Sequence, residues 1–101
     1  MQTRAILVTL EKVYKVDVGD LLYLVETGRL MEDYELMNLL GCQKLSNLYD
    51  KLNDYLRFFK PGFDSVSTEQ LIKGKWITNK TKHIAKEIIK LIPEKYRTKT
   101  A

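Results

Sequence analysis

Gln43, Lys44, Ser46 and Asn47 gather hydrogen-bonding side chains at the start of an amphipathic stretch that runs from Leu45 to Phe59. These are the residue types that read nucleic-acid base edges. Gln and Asn pair with adenine through two hydrogen bonds, Lys donates to guanine, and Ser serves either a base or a phosphate. Lys51, two helical turns further on, is better placed for phosphate than for bases. Lys73 and Lys75 flank Gly74 in a basic turn suited to phosphates or to the minor groove. Lys80 and Lys82 open the last amphipathic stretch and can grip the flanking backbone. Against this pattern stand Asp50 and Asp54, which share the outward face with Ser46, Asn47 and Arg57 and repel phosphate.

Other chemistries find no support. There is no Ser-His-Asp order, no glycine-rich phosphate loop and no spaced carboxylate pair, so no enzyme is expected. His83 is the only histidine and lacks the partners of a metal set. Cys42, the only cysteine, forms no disulfide within the chain, suits core packing in the turn, and fits a reducing cytoplasm. Neither a cofactor nor a small-molecule ligand is implied. The apolar runs are too short for a membrane span, and the first residues too short and charge-interrupted for a signal peptide.

The elements that must position these residues follow from hydrophobic spacing. Ile6, Leu7, Leu10, Val13 and Tyr14 share one face of a helix from about Thr3 to Lys15. Asp17 or Asp20 caps a second helix that reaches Thr27 and stops at Gly28. Arg29-Leu30-Met31 reads as a connector, with the option of a one-bridge strand. Asp33 to Leu40 is a short helix ended by Gly41. Leu45, Leu48, Leu52, Tyr55, Leu56 and Phe59 then form an apolar stripe on a longer helix that Pro61-Gly62 terminates. Residues 65–72 and 76–78 read as two short strands joined by Lys73-Gly74-Lys75. Thr78 or Asn79 caps a final helix up to Pro93, with a frayed tail over 94–101.

The expected fold is therefore one mainly α domain over 1–101 with a small β-hairpin and an extra N-terminal helix. Its helix-turn-helix motif occupies 33–59, its wing 65–78 and its C-terminal helix 79–93. The charge follows the same division. Residues 1–59 hold seven basic and nine acidic side chains, whereas residues 60–101 hold ten basic and four acidic. The positive field lies on the C-terminal part, as expected of a partner bearing phosphates.

From Asp20 to about Ile92 the chain resembles the winged helix-turn-helix domain of LysR-type and ModE-like regulators. The resemblance rests on Leu21-Leu22-Tyr23-Leu24-Val25-Glu26-Thr27-Gly28 before the motif, on Leu40-Gly41 ending its first helix, and on Lys73-Gly74-Lys75-Trp76-Ile77-Thr78 as the wing. It implies a recognition helix over 44–58 in the major groove of double-stranded DNA, a wing on the backbone or minor groove, and a role in transcription regulation or plasmid or virus DNA binding. A homodimer is expected, its seam on the first and last helices, with recognition helices about 34 Å apart. The competing expectation is a protein-interaction module of the same form, favoured by Asp50 and Asp54.

Overall fold

A computed structural model describes residues 2–97. The element order is α1 (Gln2–Lys12), α2 (Val18–Glu26), α3 (Asp33–Leu39), α4 (Leu45–Asp54), a π-helical turn (Tyr55–Phe59), α5 (Lys60–Phe63), α6 (Thr68–Lys73), α7 (Asn79–Leu91) and a final 3-10 turn (Glu94–Tyr96). Residues 98–101 of the expected frayed tail lie outside the described residues.

The first helix is the centre of the domain. Ala5, Ile6, Leu7, Val8, Thr9 and Leu10 are buried in succession. A helix covered on all sides needs no amphipathic stripe, which is why Val8 sits in it without penalty. α7 lies along α1. The two meet at a buried hydroxyl pair, Thr9 Oγ1 and Thr81 Oγ1 at 3.1 Å, with the Ala5 carbonyl 2.8 Å from Thr9 Oγ1 as the acceptor of its proton. Leu21, Leu24, Leu36, Leu48, Leu52, Leu71 and Ile88 complete the core. The apolar residues of α1 and α7 expected to serve a dimer seam are largely taken up within the chain, though Ile84, Ile89 and Leu91 of α7 stay half-buried.

Three helices end in the same backbone device. After α2, Gly28 has φ +67°, its N–H donates to the Val25 carbonyl at 3.3 Å, and Arg29 N–H donates to Leu24 at 2.9 Å. After α3, Gly41 has φ +73°, with Gly41 N–H on Asn38 at 3.1 Å and Cys42 N–H on Met37 at 2.7 Å. These are Schellman motifs, which satisfy the last carbonyls of a helix through one left-handed residue.

The third case overturns the expected wing. No strand exists among the described residues. The stretch 65–78 is the end of a turn, α6 with its Ser67 cap, and the turn after it. Ser67 accepts from Gln70 N–H at 3.1 Å while Gln70 Oε1 accepts from Ser67 N–H at 3.2 Å, a capping box that starts a helix where a strand was expected. Leu71 then points into the core. The turn closes as Lys75 N–H donates to Ile72 at 3.0 Å and Trp76 N–H to Leu71 at 2.9 Å. Lys73-Gly74-Lys75 is thus a helix C-cap and not a hairpin tip. The left-handed residue is Lys75, at φ +64°, and not Gly74. A Cβ on Gly74 would come within 3.3 Å of Trp76 Cδ1, so the glycine makes room for the indole. The optional strand at Arg29–Met31 is also absent; Met31 N–H donates instead to Leu91 at the end of α7, at 3.2 Å.

Pro61-Gly62 does not end the fourth helix either. The backbone widens to a π turn, with Lys60 N–H donating to the Tyr55 carbonyl five residues back. Pro61 then falls in the first turn of α5, where its missing N–H is harmless. The change of register gathers Tyr55, Phe59, Phe63 and Trp76 into one aromatic cluster, with Phe59–Phe63 centroids 4.3 Å apart. It also leaves Phe58 facing solvent, 76% exposed.

Candidate nucleic-acid interface

α3, the Gly41 turn and α4 form the expected pair of helices around a sharp corner. Thr3 Oγ1 of α1 donates to the Leu40 carbonyl at 2.8 Å and ties the corner to the domain centre. Cys42 is buried in that corner, as its size suggests. Burial pushes its thiol above the ordinary range, and the nearby Lys51 charge offsets this only in part. Lys44 is the N-cap residue of α4, with extended backbone and no side-chain cap hydrogen bond. Gln43, Lys44, Ser46, Asn47 and Lys51 are all exposed. Their side chains make no hydrogen bond among the described residues and are free to meet a partner. Asp50 and Asp54 are exposed on the same helix.

The basic residues outside α4 are organised by the first turn of α1. On one side, Thr3, Arg4 and Leu7 line a cleft of about 170 Å³ with Lys51 and Asp54. On the other, Gln2 and Ala5 line a groove of about 430 Å³ with Gly74, Lys75, Trp76, Thr78, Lys80 and Thr81. Lys51 and Arg4 therefore stand in one cleft beside the first turn of α1, and Lys75 and Lys80 in the other. Arg4 stacks its guanidinium over the Phe59 ring at 4.8 Å. Its only linear signal is that it is the first charge in the chain, ahead of Glu11. Two expected residues stand apart. Lys73 lies 4.0 Å from Glu69 on the exposed face of α6. Lys82 is half-buried and lines neither cleft.

A second polar cluster is engaged within the fold. Glu11 accepts from Tyr55 Oη at 2.9 Å and Val18 N–H at 3.0 Å, and pairs with Lys60 Nζ at 3.1 Å. Lys60 also lies 3.8 Å from Asp17, whose carboxylate caps α2 through Gly19 N–H at 2.7 Å. Burial, then the charge and hydrogen bond of Glu11, raise the Tyr55 hydroxyl far above its ordinary value. Burial alone would lower the Lys60 ammonium; the Glu11 hydrogen bond and charge outweigh it and raise the group. This network locks α1, α2 and α5 together. No grouping of His, Cys, Asp or Glu able to hold a metal occurs among the described residues.

No family model matches the chain, and no match was found among curated proteins or solved structures.

Proposed function

We propose that this protein binds double-stranded DNA as a helix-turn-helix domain without a wing. The N-terminal turn of α4 enters the major groove, where Gln43, Lys44, Ser46 and Asn47 meet base edges. Lys51, Arg4, Lys75 and Lys80 hold the phosphate backbone, and together they replace what a hairpin would contribute. The observation that carries the reading is Lys75. A lysine occupies the left-handed C′ position that glycine fills after α2 and α3, at a cost of about 1–2 kcal/mol. It does so where it adds charge beside Lys80. Lys15, after α1, is left-handed too, at φ +58°, but shares its cleft with Glu11 and Asp17; what distinguishes Lys75 is a groove lined by Lys80 and no acidic residue.

The protein acts as a cytoplasmic homodimer in this reading, since one such motif spans too few base pairs for useful specificity. No helix among the described residues is long and apolar enough to cross a membrane. Gel shifts with a panel of duplexes test the assignment of roles. Lys75→Ala lowers affinity for every sequence, whereas Asn47→Ala changes the ranking among them. Equal losses from both on all sequences would remove α4 from the groove. The second reading, a protein-interaction module, draws on Asp50 and Asp54 and on exposed Phe58; it predicts no duplex binding at any salt concentration.

A further inference from the structure

The groove between α1 and the α6–α7 turn differs from the α1–α4 cleft and from the cleft beside Lys60 in three ways. None of its lining residues is acidic, whereas Asp54 stands in the α1–α4 cleft and Glu11, Asp17 and Asp64 line the cleft beside Lys60. One wall is apolar and rigid. Ala5 belongs to the buried helix α1, and Trp76 is held by Phe59 at 5.6 Å and Phe63 at 5.3 Å between ring centroids. Third, the indole N–H has no hydrogen-bond partner among the described residues. Gly74 leaves that edge uncovered, since a Cβ there would stand 3.3 Å from Cδ1 and 3.9 Å from Nε1.

An apolar wall, one fixed donor and cations at the rim match an aromatic heterocycle that carries acceptors and is attached to phosphates. The groove is shallow and open, with room of about 430 Å³, so a planar ring would lie along its wall and not be enclosed. We propose that this groove holds one unpaired base of a DNA strand, either at a single-stranded overhang or at an extruded position. The base lies against Ala5 and Trp76 and accepts a hydrogen bond from the Trp76 indole N–H. Lys75 and Lys80 take the phosphates on either side, and the Gln2 amide at the groove mouth meets the base edge. The inference rests on the DNA-binding reading and adds to it a preference for ends or openings over intact duplex. An acidic peptide would use the same lysines but would leave the indole wall without a counterpart.

Trp76 is the only tryptophan, so its emission reports on this groove alone. The full chain is titrated at one salt concentration with a blunt duplex and with the same duplex carrying a three-thymine overhang, following both emission and the anisotropy of labelled DNA. The overhang is expected to quench Trp76 and to bind about tenfold more tightly, a typical contribution of one base–aromatic contact. Trp76→Phe, which keeps an aromatic wall but removes the donor, brings overhang affinity down toward that of the blunt duplex. Gln2→Ala, an exposed change that leaves the core intact, erodes the preference by a smaller factor. Equal binding of both duplexes without quenching overturns the groove assignment and leaves DNA binding standing. Binding of neither duplex overturns both. Quenching by poly-glutamate as strong as that by the overhang assigns the groove to acidic peptides and also overturns the proposal.

Discussion

Lys75 connects stability to function at a single residue. Its left-handed backbone suits glycine, so Lys75→Gly is expected to stabilise the domain by about 0.5–1 kcal/mol, after allowing for glycine's greater freedom when unfolded. The same change lowers affinity for all duplexes. Denaturant midpoints and anisotropy together check the pair of effects, and a stabilised variant with undiminished binding would separate Lys75 from the interface. Residue identities around the corner were legible without coordinates. Gly28 and Gly41 lie where the spacing of apolar residues places a helix end, and both adopt the positive φ expected there. Lys75 was not legible, because Gly74 beside it is the obvious candidate for that conformation. The indole of Trp76, distant from any helical pattern, is what reserves Gly74 for another purpose.

At the scale of elements, α6 shows how a short helix is mistaken for a strand. Ser65 to Ile72 offers too few residues for a helical stripe, and Val66, Leu71 and Ile72 suit a half-buried strand equally well. The local signal that decides is Ser67 with Gln70 three residues later. Ser67→Ala is therefore expected to cost about 1 kcal/mol, seen as a lowered denaturant midpoint; no change would mean that α6 is held by Leu71 alone. The π turn was hidden for a related reason. Pro61-Gly62 reads as a stop, yet a register shift just before it lets the chain remain helical and delivers Phe59 and Phe63 to Trp76. The Glu11 lock joins elements through groups whose protonation is shifted by folding. Tyr55 and Lys60 are both raised in the folded state from ordinary values of 10.0 and 10.5. Their contribution is thus complete below about pH 10 and is lost as pH rises through the folded values. Thermal melts should fall steeply above that point. Tyr55→Phe should flatten part of the fall, while costing about 1 kcal/mol near neutrality through the lost hydrogen bond to Glu11. An unchanged alkaline slope would show that the hydroxyl is not linked to folding.

The whole molecule turns an uneven charge distribution into a surface. The excess of basic residues after position 60 is visible in the sequence, whose pattern assigns it to a hairpin and the last helix. Folding distributes it differently. Lys86 and Lys90 remain on the exposed side of α7, with Lys90 paired to Glu87 at 3.0 Å, while Lys75 and Lys80 line a groove beside Gln2 and Ala5 of α1. Arg4 is recruited only by this three-dimensional neighbourhood. The proposed reading makes the α3–α4 corner and these basic residues parts of one DNA-binding surface, and the claim that this surface grips phosphates is the centre of the account. It is tested most directly by the anisotropy of an unrelated duplex measured across a range of salt concentrations. With Arg4, Lys44, Lys51, Lys75 and Lys80 on phosphates or bases, the logarithm of affinity should fall against the logarithm of salt with a slope of about −4, roughly a 250-fold loss between about 50 and 200 mM. Absence of binding at the lowest salt, or a slope near zero, would contradict it.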